Sequence, residues 1–314
     1  MHTLHRWRGP VVLILAALLP FLLNTLDLGF YTSVATRILI YALAVTSLNL
    51  VLGLGGMASL GHAAFFGLGA YVVAILGQYG FSSVWIVIPA AILLSAFTGL
   101  LIGAVCVRTS GAYFIMITLA FAQMLYYLMV SLNVYGGDDG LALTAFSRLG
   151  FGWTLSGTCL YLSALAGLGA TIYFFSRLEK APFGYALFAI RENPLRAEAL
   201  GYPVYRLKLL CFTLGAALAG LAGALLVNLN KFVSPATLSW HQSGVLMIMV
   251  VLGGTRHRYG GVLGAAAYLL IEEILSSHTA HRQLYLGLFL LAAVLSAPQG
   301  LAGLWPERNG RRAS

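Results

Sequence analysis

Ten long apolar stretches follow one another along this chain, and few of them contain a charge. They span residues 10–26, 37–55, 62–79, 84–106, 112–132, 156–175, 208–228, 243–254, 260–276 and 284–299. A helix needs about 20 mostly apolar residues to cross the hydrocarbon core of a bilayer. Most of the stretches approach that length, and they lack the alternation of barrel strands. The expectation is an all-α integral membrane protein of about ten transmembrane helices (range 8–10). The eighth stretch is short, which suits a broken or tilted helix. Only "GGMASLG" separates the second from the third, which suits a tight hairpin or a discontinuous pair.

Composition agrees. Apolar types make up 60% of the 314 residues and charged types 9%, whereas a soluble domain carries about 25% charged residues. Ten spans use about 200 residues, which leaves loops and tails but no attached soluble catalytic domain. Residues 1–314 are therefore read as one transmembrane domain. The net charge of +9 does not point to nucleic acid, because the charges sit in loops. Cys106, Cys159 and Cys211 are odd in number and far apart, as packing residues would be. The basic N-terminus followed by an apolar run has no small-x-small cleavage site behind it, and reads as an uncleaved first helix.

Charge sets an orientation. With ten alternating helices and the N-terminus inside, 14 of the 18 Lys and Arg residues fall in inside loops. Arg37, Arg148, Lys231 and Arg282 fall outside. Cytoplasmic loops are enriched in Lys and Arg, so the split supports an N-in/C-in chain whose residues 306–314 form a cytoplasmic tail. Many of the 36 glycines stand at small-xxx-small spacing. Examples are Gly99 with Gly103, Gly260 with Gly264, and the row Gly215, Ala219 and Gly223. Small residues let helix backbones approach closely in lipid.

The longest inside loop, 176–207, holds five basic residues with Glu179, Glu192 and Glu198. Asn193 is a plausible N-cap, Pro194 suits a first helical turn, and Gly201 with Pro203 would stop the helix. The spacing predicts a helix of about two turns outside the membrane, with apolar Leu195, Ala199 and Leu200. It would either dock into a partner groove or lie on lipid.

Polar residues within apolar stretches are costly unless paired, so each is a functional candidate. Asn49, Ser59 and His62 flank the glycine-rich break. Gln123 lies mid-helix. Glu272 and Glu273 stand a turn from the outer end of the ninth stretch. Asn228 and Asn230 read as interfacial, and His241, near an outer helix start, as a surface residue. The sequence offers no Gly-rich loop ending in Lys-Ser or Lys-Thr, no paired metal ligands and no nucleophile elbow, so no catalytic residue, metal or cofactor is expected.

Five segments carry a family resemblance: residues 47–76, 111–128 with 136–141, "AIRENPLRAEALGYPVYRLKLLCFTLGAALAGLAGAL" from Ala189, 232–254 and 297–305. Over about residues 35–305 the chain resembles the permeases of ABC importers for branched-chain amino acids, the LivM type more than the LivH type. The resemblance implies a multi-pass subunit of a bacterial inner membrane that pairs with a second related permease (LivH-type). It also implies two cytoplasmic ATPases that hydrolyse ATP and a soluble substrate-binding protein. "EALG", Glu198 to Gly201, matches the family's ATPase-coupling motif. This favours docking over lipid and assigns coupling to Arg191, Glu192, Asn193, Arg196, Glu198, Ala199 and Gly201. Asn49, Ser59, His62, Gln123 and Glu273 are then candidates for the substrate pathway. The turn at Arg256, His257 and Arg258 departs from the family's uncharged turn and leaves its ATPase contact open. A urea, amide or other small-solute permease, or an ion-coupled secondary transporter, are the alternatives.

Overall fold

The computed structural model describes residues 20, 29–144, 146–150, 153–255, 257–278, 281–296 and 300–304. Apart from position 20, the first stretch (10–26) lies outside them, as do Arg256 and the tail. Nine of the ten expected stretches fall on helices. These are α1 (Gly29–Asn49), α2 (His62–Gln78), α3 (Val84–Cys106), α4 (Ala112–Ser131), α5 (Gly157–Lys180), α8 (Val204–Asn230), α9 (Trp240–Gly253), α10 (Gly260–His278) and α11 (Arg282–Ser296). Between α5 and α8 come α6 (Pro182–Glu192) and α7 (Pro194–Ala199).

Among the described residues six helices are long and apolar enough to cross a membrane: α1 with its extension, α3, α4, α5, α8 and α10. At 1.5 Å per residue, α2 with 17 residues and α9 with 14 reach only about 25 Å and 21 Å. These two are tucked against longer neighbours. α9 is preceded by a 3-10 turn, Pro235–Leu238, where Pro235 interrupts any continuous helix.

Loop contacts show that the helix ends alternate. At one end Tyr205 of α8 donates to Ala104 O of α3, Arg191 of α6 donates to Gly53 O after α1, and Arg258 pairs with Glu179 of α5. At the other end Tyr79 bonds Tyr135 through their hydroxyls, Ser147 N donates to Asn228 Oδ1, and strand β1 (Leu141–Ala142) pairs antiparallel with β4 (Phe232–Val233). A second small pair, β2 (Arg148–Gly150) with β3 (Trp153–Thr154), caps the same end. Arg108, Arg177, Lys180, Arg191, Arg196, Arg206 and Arg258 belong to the first end, hereafter the basic end.

The centre of the bundle is α1, α2 and α8. Of their apolar stretches 72% of α1 and 67% of α8 is buried, against 28% for α4. Small residues make this possible. A Cβ added at Gly69 would lie 2.1 Å from Gly220 O, and one at Gly223 would lie 1.8 Å from Phe66 O, so α2 and α8 touch backbone to backbone. On the other face of α8, Gly99 meets Ala216 and Gly103 meets Phe212 of α8. α9 and α10 form a hairpin of the same kind, with a Cβ at Gly264 placed 1.8 Å from Met249 O. Such seams replace the hydrophobic drive that lipid cannot supply. The outward side of α3 is wholly apolar, with Trp85, Leu93, Phe97 and Leu101 exposed, as suits a lipid contact. Cys106 and Cys211 are buried thiols and Cys159 is half-buried; all three are free.

Two expectations need correction. Segment 176–207 was expected to be a loop with one short helix. Instead α5 continues to Lys180, and Pro182 starts a separate helix that buries Gly184, Ala186, Leu187 and Ile190. Asn228 was expected at an interface; it is 2% exposed, accepting from Ser147 N at 3.1 Å and donating to Ala224 O at 2.9 Å.

Candidate functional site

The polar residues of the expected break come together at the basic end of α1. The helix does not stop at Asn49. It widens into one π turn, Leu50–Leu54, and then runs irregularly through Gly61 before α2 begins. Widening an α-helix detaches backbone groups from their regular partners. In an apolar core each of these needs another partner. Four supply them. Met57 N donates to Val51 O at 3.2 Å. Cys211 Sγ lies 3.6 Å from Leu50 O. The Arg191 guanidinium donates to Gly53 O. Asn49 Nδ2 donates to His257 O at 3.1 Å, which ties the turn between α9 and α10 to the same place.

His62 opens α2 and is fully buried. Its Nε2 lies 2.8 Å from Ser47 Oγ, and Ser47 Oγ lies 2.6 Å from Ala44 O. A hydroxyl has one proton to donate. With that proton on the Ala44 carbonyl, the imidazole donates from Nε2 to Ser47 Oγ. Gly215 of α8 faces the ring, with room for no larger residue: a Cβ there would sit 2.3 Å from Val51 and 3.4 Å from His62. Ser59 Oγ accepts from Gly61 N at 3.1 Å. Ser243 of α9, which sequence reasoning passed over, accepts from Ala63 N at 3.0 Å and so caps α2. Asn49, Ser59, His62, Ser47 and Ser243 all have buried side chains: Ser47 and His62 bond each other, while Asn49, Ser59 and Ser243 each bond a backbone group at or near the break. Asn49 Oδ1, His62 Nδ1 and Thr46 Oγ1 have no hydrogen-bond partner among the described residues.

Gln123 lies half-buried on α4, and Glu273 half-buried near the far end of α10; neither belongs to this buried group. Glu272, beside Glu273, faces Arg37 of α1 at 3.9 Å. His241 is exposed.

The second site is the elbow of α6 and α7. Asn193 is the only residue between them, and its extended backbone (φ −155°, ψ 101°) turns the chain. Its Oδ1 accepts from Arg196 N at 3.0 Å, which caps α7. At the other end Tyr202 N returns to Ala197 O at 3.1 Å, and Gly201 stands at φ +87°. That is the left-handed helix stop that glycine permits. Ala197 is buried, while Leu195 is 78% and Leu200 71% exposed. Glu192, Arg196, Glu198 and Ala199 also face outward. Arg191 does not: its side chain turns inward to the α1 break. Arg258, in the basic turn, is bound to Glu179 Oε2 at 2.9 Å.

The arrangement has two parts: a packed bundle with a locked helix break, and a small capped helix presented at the basic end. It offers nothing among the described residues that would hold a metal: no group of three His, Cys, Asp or Glu stands together.

Comparison with known proteins places the chain. Residues 30–297 match the family model described as "Branched-chain amino acid transport system / permease component". The chain is 30% identical to the high-affinity branched-chain amino acid transport system permease protein LivM of Escherichia coli, over 92% of this chain and 73% of that protein. The LivM of Salmonella typhimurium gives the same identity and coverage. LivH of Escherichia coli is 26% identical over 84% of this chain and 91% of its own. No solved structure matches. A bundle of apolar helices, a matching model over most of its length and two LivM relatives matched over 92% of this chain make it a member of the branched-chain amino acid transport permease family.

Proposed function

We propose that the chain is one of two related permeases in an ATP-driven importer of branched-chain amino acids. The second permease is a LivH-type subunit, two cytoplasmic ATPases supply the energy, and a soluble binding protein delivers the amino acid. The substrate class rests on the names of the relatives. The membrane is the bacterial inner membrane, crossed by about ten helices with both termini inside, and the basic end faces the cytoplasm. The charge rule supports that orientation.

The observation that carries this reading is the capped helix α7. Leu195 on this helix and Leu200 at its C-cap, each more than 70% exposed, stand outside the membrane bundle with a docking groove as their natural destination. Glu198 and Gly201 belong to this docking surface. Of the five pathway candidates, Gln123 and Glu273 keep exposed surface to offer a substrate route shared with the second permease. Asn49, Ser59 and His62 act by holding the break.

The test is Gly201→Pro. Proline is confined to φ near −65° and cannot adopt +87°, so the end of α7 must unwind. The variant is expected to insert normally while ATP hydrolysis by the assembled importer loses its stimulation by substrate. Normal substrate-stimulated hydrolysis in that variant would show that α7 is not the docking element.

A further inference from the structure

We infer that Arg191 is a positioning residue that transmits movement of α7 to the centre of the membrane bundle, and that it does not belong to the surface met by the ATPase. This rests on the importer reading above and names a part of its machinery.

Three features converge on the Arg191 side chain. Its guanidinium donates to Gly53 O, a carbonyl of the π turn that ends α1. Carbonyls at a helix C-terminus carry partial negative charge, and a charged donor makes the stronger kind of hydrogen bond to them. Its aliphatic stem lies where a side chain on residue 56 would be, since a Cβ on Gly56 would fall 2.9 Å from Arg191 Cγ. Gly56 also holds φ +65°, so glycine there serves the backbone and leaves the lane for arginine. Finally, Ala186, Leu187 and Ile190 of α6 are all buried, so the arginine approaches the break from a helix packed against the bundle.

The connection to α7 is short and stiff. Arg191 is separated from Pro194, the first residue of α7, by Glu192 and the joint Asn193. Asn193 is fastened at both sides, its N–H to Ala189 O at 3.1 Å and its Oδ1 to Arg196 N at 3.0 Å. A displaced α7 therefore moves α6 as a lever, with no slack loop to absorb the motion. The load falls on α1, the most buried spanning helix. The same break is braced from the opposite side. Asn49 holds His257 O, and Arg258, the next residue, holds Glu179 at the end of α5. The break, the α9–α10 turn, the end of α5 and α6 thus form a closed ring of contacts at the basic end. Arg258 is taken up inside the chain, which gives the unusual basic turn a bracing role in that ring.

The test uses the whole importer in proteoliposomes and reads ATP hydrolysed per amino acid imported. Arg191→Met keeps the stem and removes the donor. A hydrogen bond to a charged group contributes about 1.5–3 kcal/mol, which corresponds to about tenfold or more in an equilibrium. The ratio is therefore expected to rise about tenfold, with the ATPases still co-purifying at wild-type yield. Arg191→Lys, which retains a cation on a similar stem, is expected to fall between the two. It carries the test if the methionine variant fails to reach the membrane. An unchanged ratio in these variants overturns the inference. So does loss of ATPase co-purification, which would put Arg191 in the docking surface. A wild-type assembly that shows no ATP-dependent uptake would overturn the importer reading itself, a result separable from either of these.

Discussion

Replacing Gly223 with alanine should destabilise the bundle more than its single added carbon suggests. The new Cβ would start 1.8 Å from Phe66 O, and Cβ contacts under 3.0 Å are essentially absent from proteins. Helices α2 and α8 must then part locally by at least 1.2 Å (3.0 − 1.8). The obstacle is backbone, not a side chain that can rotate away. Overpacking of a tight core costs about 1–3 kcal/mol. Parting the seam also weakens contacts between Gly69 and Gly220, because a gap of 0.5–1 Å already forfeits about a quarter to a half of the dispersion energy. Alanine recovers about 0.5–1 kcal/mol of helix propensity, so a net loss of about 1–2 kcal/mol is expected. Gly244→Ala is the control, since nothing lies within 4 Å of its added carbon; it should be neutral or slightly stabilising. Reversible unfolding of the purified chain in mixed detergent micelles measures both. If Gly223→Ala were as stable as Gly244→Ala, the backbone seam would not exist as described.

Two further substitutions separate bracing from transport. His62→Ala should cost about 2–4 kcal/mol, the range for emptying a buried site of this size, because the imidazole fills space beside Gly215 and holds Ser47. Unchanged stability with abolished uptake would instead make His62 a pathway residue. Glu179→Gln should cost no more than about 1 kcal/mol, since both partners are about a third exposed or more and water screens such pairs. The difference should vanish in molar salt, and a salt-independent loss above about 2 kcal/mol would mean a stronger tie.

The membrane class and nine helices were legible because long apolar runs leave a chain no alternative solvent. The α7 cap was legible for a similar reason: Asn193, Pro194 and Gly201 each carry a backbone preference that acts within a few residues. The pattern failed wherever the partner was distant in sequence. Nothing around Gly53 announces Arg191, 138 residues on, and nothing around Asn49 announces His257. Helix α6 could have been found: Pro182 suits a first turn, and Phe183, Leu187 and Ile190 follow at helical spacing. The charges spread along 176–207 mask that face in the sequence. The glycine row on α8 showed that close approach was possible but not which helix would approach. Asn228 looked interfacial by position, yet it is buried because Ser147 folds back over it.

ATP-dependent uptake is the most direct test of the central claim that this chain is the passage and other chains are the motor. Labelled leucine uptake should be measured in proteoliposomes holding this chain alone, and in proteoliposomes holding it with its second permease, ATPases and binding protein. No uptake above background is expected for the chain alone, and uptake that requires ATP is expected for the full set. Concentrative uptake by the chain alone, driven by an ion gradient, would contradict it.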